Sequence, residues 1–425
     1  MISSMESLPV ELVDAVILYL PLADRQALRL VSKHLYSLTL TTFTTDYFSK
    51  RTTTLGSPSL KRLVAASAHS RFSNSVTVLD VKLLNYEDYE NLRRIDRVGI
   101  YPPPKRLPKV PQVKTQDISL ECRLFDYMRN HHDAKAVVHP LSRALKGFPN
   151  LDSIRIRVNG LTLYGNPYIN ADDKVYQDFL SACFKAVLDA LVRSGVKLRH
   201  FTSIKGTAIR PISKSANLIY PAFAFSFPYL LSLQTAFASL KSLRLSIRTN
   251  YNRNARVPGW ENGVSQFISA APALEEFALC LQARDSEPWF RAAVMQSICR
   301  SVELPALKIL QLYGCVVDEL DMTAFFKRHT ALRHISISDT ELRSGTWASI
   351  MSLFKQDLDL EYLRFQYLQQ SATPRAVQWG EEEKRSKLTI DARKSRHSDF
   401  MITKLSQAIA TLAAAMEAHK VPEEV

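Results

Sequence analysis

The sequence predicts an α/β protein: a short all-helical N-terminal hairpin, an irregular αβ solenoid, and a C-terminal capping helix. Three observations carry this. Apolar residues recur at helical spacing in the first fifty positions, with sharp breaks between runs. A short apolar triplet then recurs down the chain, usually behind an amphipathic stretch. Finally, an Ala-rich segment from Asp399 to His419 gathers Met401, Ile402, Leu405, Ile409, Leu412 and Met416 on one side.

In the hairpin, Pro9 suits the first turn of a helix, where its missing N–H would have no partner. Glu11 then sits well against the positive helix end. Leu12, Val13, Val16, Ile17 and Leu20 draw one apolar stripe. Pro21 ends that helix by restricting Leu20. Asp24 is the expected N-cap of a second helix carrying Leu28, Val31 and Leu35. A unit of roughly 45 residues buries too little surface to be stable alone. Its stripe must pack on the rest of the chain, on a partner, or on both.

The run Leu8-Pro9, Glu11-Leu12, Ile17, Leu20, Leu22, Asp24, Leu28 and Leu30-Val31-Ser32-Lys33 resembles the F-box. That helical module docks substrate receptors on a Skp-family adaptor in cullin-type ubiquitin ligases. The spelling is most similar to F-box proteins of filamentous fungi. It lacks the tryptophan that many animal F-boxes carry near the end, and Phe43 and Phe48 stand in that region. The resemblance implies that Leu8, Pro9, Leu12, Ile17, Leu20, Leu28 and Val31 carry the adaptor contact, some of them also holding the hairpin together. It places the F-box at 1–50.

From 51 to 395 the recurring triplet organises the chain. It reads Leu151-x-x-Ile154-x-Ile156, Leu240-x-x-Leu243-x-Leu245, Leu274-x-x-Phe277-x-Leu279 and Leu307-x-x-Leu310-x-Leu312. Leu332-x-x-Ile335-x-Ile337 and Leu360-x-x-Leu363-x-Phe365 continue it, with a weaker copy at Leu198 and a first one at Val76. Helical stretches precede most copies, such as Phe179 to Leu191, Trp289 to Val302 and Trp347 to Phe354. Helix then short strand, repeated, reads as a leucine-rich-repeat-like solenoid. The leading positions 151, 198, 240, 274, 307, 332 and 360 are unevenly spaced, whereas strict repeats run roughly 20–29 residues, so the longer intervals hold loop insertions. The segment 396–425 then caps the open end of the array.

Two stretches stand apart. Tyr101 to Lys114 is rich in proline and base with no acid, which favours extended polyproline geometry. Glu381 to Lys387 and Arg393 to Arg396 read as a charged linker. The uncharged run from Ser215 to Leu240 is long enough for a bilayer, but Pro221, Pro228 and its polar residues make it a buried connection. No signal peptide is expected, because Glu11 and Asp14 interrupt the first apolar run. Five scattered cysteines, at 122, 183, 280, 299 and 315, fit a reducing cytoplasmic or nuclear compartment.

Catalytic chemistry is not written in the chain. It has no phosphate-cradling glycine loop, no Gly-x-Ser-x-Gly elbow and no His-Glu-x-x-His. The group His131, His132, Asp133 and His139 lacks metal-ligand spacing. No cofactor or metal is therefore expected, and the chain reads as a non-enzyme. The net charge of +14 favours acidic partners. It does not arise in the F-box, where Arg25, Arg29, Lys33 and Lys50 face Glu6, Glu11, Asp14, Asp24 and Asp46.

In a solenoid, recognition falls to strand positions that alternate with the core leucines. Those facing out include Ser153, Arg155, Arg157, Ser242, Arg244, Ser246, Glu276, Ala278 and Cys280. Further along they include Tyr313, His334, Tyr362 and Arg364. Arginine and tyrosine lead at protein interfaces, so Arg155, Arg244, Tyr313, Tyr362 and Arg364 are the candidate client-binding residues. The expected function is the substrate-recognition subunit of a Skp–cullin–F-box ubiquitin ligase, holding an unknown client protein. The alternatives are a non-catalytic repeat scaffold outside any ligase and a basic nucleic-acid-binding protein.

Overall fold

The recurring triplets become adjacent strands of one sheet. The structure, a computed structural model, describes residues 8–84, 86–98, 124–129, 134–158, 174–206, 218–248, 259–282, 288–370, 377, 387–394 and 398–417. The stretch 101–114, Cys122 and the group at 131–133 lie outside these residues.

Four helices open the chain: α1 (Val10–Tyr19), α2 (Leu22–Val31), α3 (Lys33–Leu38) and α4 (Leu40–Phe48). The strands follow as β1 (Lys50–Thr54), β2 (Val78–Leu83), β3 (Ser153–Val158), β4 (His200–Thr202), β5 (Leu218–Ile219), β6 (Ser242–Arg248) and β7 (Glu276–Gln282). They continue as β8 (Ile309–Tyr313), β9 (Val316–Asp318), β10 (His334–Ser338), β11 (Glu341–Ser344), β12 (Tyr362–Gln366), β13 (Gln369–Gln370) and β14 (Lys387–Asp391). Between them run α5 (Ser57–Ala68), α6 (Ser70–Ser73), α7 (Tyr86–Val98), α8 (124–129), α9 (Ala134–Lys146), α10 (Lys174–Ser194) and α11 (Phe227–Ala236). The last helices are α12 (Trp260–Ser269), α13 (Pro288–Ser301), α14 (Glu319–Arg328), α15 (Trp347–Asp357) and α16 (Ser398–Glu417).

In the main sheet, spatial order repeats chain order: β1-β2-β3-β4-β6-β7-β8-β10-β12-β14. Every pair along it is parallel except the last, β12 with β14. The register aligns the triplets. Leu79, Ile154, Phe201, Leu243, Phe277, Leu310, Ile335 and Leu363 stand in one row across eight strands. All eight are buried. Parallel strands need a crossover, usually helical, and the amphipathic stretches supply it. The helices pack in the same order, α5 on α9 on α10 on α11, then α12 through α16. Helical N-terminal module and parallel-dominated α/β region are thus both present.

Four expectations are corrected. Asp24 is not the cap of α2; Pro21, with extended backbone, fills that position and accepts the Arg25 N–H at 3.0 Å. Asp24 lies inside the first turn, where its charge suits the helix dipole. The second helix also breaks at Ser32, whose hydroxyl accepts the Leu35 N–H at 3.1 Å and starts α3. The charged run near 387 is interrupted by β14, whose Leu388 and buried Ile390 alternate with polar residues. The uncharged run before Leu240 is not a buried connection throughout: it holds a two-residue strand, a 3₁₀ turn and α11, on which Phe227 and Leu231 are exposed, and no described helix is long and apolar enough to cross a membrane.

The closing helix is docked on the rest of the chain. Met401, Leu405, Ala408 and Leu412 of α16 are buried, and α16 packs on α15.

One buried polar joint makes the fold sensitive to pH. His329, at the end of α14, accepts the Leu304 N–H on Nε2 at 3.0 Å, while its Nδ1 lies 2.7 Å from the Phe325 carbonyl. Both contacts are satisfied only by the neutral ring with its proton on Nδ1. Burial is the main cause that lowers its pKa below 6.5, with Arg328 adding to this and the Phe325 carbonyl and Glu303 opposing it. A folded pKa below the unfolded one means the unfolded chain binds more protons in acid. Stability from this joint is therefore full above pH 6.5 and is lost as pH falls from there through the lower folded pKa. Melting temperature measured against pH should drop on this limb, and His329→Gln should flatten it.

Candidate adaptor-docking site

The apolar stripe of α1 has two destinations. Neighbouring helix residues point about 100° apart, so the row Val13–Ile17 and the row Leu12–Val16 cannot face the same way. Val13 and Ile17 are fully buried, whereas Leu12 is 52% exposed. Of the residues implied for the adaptor contact, Pro9, Leu12 and Val31 are exposed, and Leu8, Leu20 and Leu28 are half-buried. Ile17 lies inside and contributes to the hairpin's own core.

The set implied for the adaptor contact leaves out much of what is exposed. Val10, Leu18, Tyr19, Leu22 and Leu30 are also open, so eight of the large exposed hydrophobics lie between Val10 and Val31. Only six others are found in the rest of the described chain. Such a concentration marks an interaction surface rather than the scattered apolar exposure of any protein.

Few apolar side chains hold this module: among α1 to α4 only Val13, Ile17 and Leu35 are buried hydrophobics. Polar clamps take over. Arg25 is buried and donates from Nε to the Leu20 carbonyl at 2.8 Å and from a terminal nitrogen to the Leu18 carbonyl at 3.3 Å. Its other terminal nitrogen pairs with Asp46 of α4. One side chain thereby satisfies carbonyls at the end of α1, which have no helical partner, and ties them to α4. Thr42 donates to Asp14, a second α4-to-α1 tie. Arg29 stacks over Phe43 at 3.9 Å and Tyr36 at 4.5 Å.

The module runs straight into the sheet. Phe48 stacks on Phe72 at 4.4 Å, Arg51 lies over Phe48 at 4.4 Å, and the Ser49 carbonyl accepts from Thr77 and Val78 at 2.8 and 2.9 Å. The exposed helices are therefore mounted on the first strands of the parallel sheet without an intervening linker.

The candidate client residues share the sheet face opposite the triplets but fall in separate places. Arg155 and Arg244 flank β4 in one register row. Arg364 stands in the same row four strands beyond Arg244. Tyr362 sits under Arg393 at 5.6 Å and edge-on to His334 at 6.1 Å. Tyr313 packs on a small buried cluster of Ile204, Ala278 and Cys280. That last observation corrects the outward reading, because Ala278, Cys280, Ser153, Ser242 and Ser246 are buried. Small side chains leave room there for Ile204 to pack across, which alternation alone does not reveal.

The described cysteines are all buried free thiols. Burial pushes Cys183 and Cys299 up to about 12, which keeps them protonated and unreactive at neutral pH. Among the described residues, no group of three His, Cys, Asp or Glu side chains is placed to hold a metal ion.

None of the curated proteins compared matches the chain. The F-box domain family model matches residues 5–41, spanning the exposed helices. That match supports an F-box protein, a class that in general binds Skp-family adaptors as substrate receptors of Skp–cullin–F-box ligases.

Proposed function

We propose that the chain is a non-catalytic substrate receptor: α1 to α3 dock on a Skp-family adaptor, and a leucine-rich-repeat-like solenoid holds the client. The observation that carries this is the crowd of exposed apolar side chains between Val10 and Val31, inside the residues matched as an F-box. The sequential parallel sheet supports the solenoid reading, since each repeat buries its apolar row only against its neighbours. Rate enhancement in such an assembly comes from effective concentration. The adaptor brings the cullin–RING ligase, and the direct mount on β1 and β2 fixes the client's place relative to it.

Co-purification of the full chain with a Skp-family adaptor tests the reading. Pro9→Ala/Leu12→Ala should abolish capture with an unchanged melting temperature, because both residues are exposed and central apolar anchors are worth about 2 kcal/mol or more each. Leu28→Ala should weaken it as well. Absence of a complex with the intact chain would refute the reading.

A further inference from the structure

The outer face of β2, β3 and β6 carries an unbalanced group of bases. Arg155 and Arg157 alternate on β3, Lys82 lies beside Arg157 on β2, and Arg244 stands across β4. Two acids share the face: Asp80 on β2 stands in register beside Arg155, and Glu276 on β7 stands in register with Ser242. Each already has a partner, although the buried Asp80 Oδ1 accepts no hydrogen bond among the described residues. Asp80 pairs with Lys50 at 2.6 Å, while Glu276 accepts from Ser242 at 2.8 Å and lies 3.7 Å from Arg244. Arg155 is half-buried and has no hydrogen-bond or ion-pair partner among the described residues. Among the described residues Arg157 donates only to backbone, to the Ile156 carbonyl at 3.0 Å and the Thr202 carbonyl at 3.4 Å.

Like charges so placed repel one another. Burial is the main cause that pushes the Arg157 guanidinium down to about 10; Asp80 opposes it, and Arg155 and Arg244 add to it. A bound anion would relieve that repulsion.

We propose that this face binds an acidic, extended segment of the client, with Arg155 and Arg157 facing alternate carboxylates and Arg244 lying beside them. This rests on the receptor reading above and names its partner's chemistry. The spacing argues for alternating carboxylates. Arg155 and Arg157 are two residues apart on one strand, about 6.6 Å, which is the repeat of alternate side chains in an extended peptide. Arg244 lies two strands over, about 10 Å away. A single phosphate would engage one point of such a spread. A long polyanion would overrun it and meet Asp80 on one side and Glu276 on the other.

Fluorescence anisotropy with the full-length chain tests this, using a labelled short peptide alternating aspartate with threonine. Comparison probes are the same peptide with asparagine for aspartate, one carrying a single phosphoserine, and a single-stranded oligonucleotide of equal charge. The aspartate peptide should bind best. Arg155→Ala should weaken it about tenfold, the scale of one lost charge-assisted hydrogen bond, and Arg155→Lys should restore part of the loss. Arg393→Ala, beside Asp391 at the far edge of the sheet, should change nothing. Equal binding of the asparagine peptide would overturn the proposal, as would tighter binding of the phosphopeptide or oligonucleotide, or indifference to Arg155→Ala. Adaptor capture, measured on the same preparations, fails or succeeds independently of peptide binding, so the two readings are separable.

Discussion

Arg25→Ala is expected to unfold the N-terminal helices and abolish adaptor capture while the parallel sheet keeps its structure. The substitution removes donors to two carbonyls at the end of α1 and the cation that faces Asp46. Truncating one partner of a largely buried pair costs about 3–5 kcal/mol, because the other charge and the carbonyls lose their partners. Asp46 is more open than Arg25 and regains water, which places the expected cost near the lower end, about 3 kcal/mol. Asp46→Ala should cost less, since Arg25 keeps its carbonyl contacts. Chemical unfolding followed by a probe in the helices and another in the sheet should separate into two transitions for Arg25→Ala. A double-mutant cycle with Asp46 then isolates the ion pair. Capture that survives Arg25→Ala at full strength would show that the clamp is dispensable.

Arg25 also illustrates what the sequence hides. Its partners lie five, seven and twenty-one residues away, and no periodicity marks such a clamp. The stripe around Leu12 and Ile17 was legible as a stripe, but its division into a buried and an open row depends on which neighbours α3 and α4 bring. The triplets were more transparent. A spacing of x-x then x sets two side chains on one sheet face, and repeating it aligned eight strands. β1 escaped notice because Lys-Arg-Thr-Thr-Thr has no apolar triplet, although Thr53 is buried. β14 was obscured by flanking charge, even though Leu388 and Ile390 keep a period of two.

The sheet face opposite the triplets was harder to read for a physical reason. Alternation says which side of a sheet a residue faces but not whether anything lies over it. Arg155 and Tyr313 are equivalent by that rule, yet one is an arginine without a described partner and the other is packed on Ile204, Ala278 and Cys280. Charge decides between them. Apolar outward positions can be covered at little cost, whereas grouped arginines resist burial without an anion, so the basic strands are where an incoming partner has most to gain.

The same corner recurs after three successive strands and yields the second large prediction. Gly314 follows β8, Asp339 follows β10 and Tyr367 follows β12, and all three have left-handed backbone, with φ of 68°, 51° and 51°. Each corner redirects the chain into a short strand of the second sheet, β13-β11-β9. The corners differ in what lies above them. A Cβ on Gly314 would stand 2.2 Å from the Leu281 carbonyl oxygen, and Leu281 is itself fixed in β7 by pairing with β6. Backbone held on one side cannot swing away, so β8 must shift. Left-handed geometry adds about 1–2 kcal/mol for any residue with a Cβ. Gly314→Ala should therefore cost about 3 kcal/mol or more, which places it among the severe substitutions. Asp339→Gly, at the exposed equivalent corner one strand along, should change stability by less than about 1 kcal/mol, because relief of strain and the added chain entropy of glycine oppose each other. Denaturant midpoints of the two variants measure the difference. Equal and small effects at both corners would mean that β7 and β8 are not held as closely as Leu281 and Gly314 require.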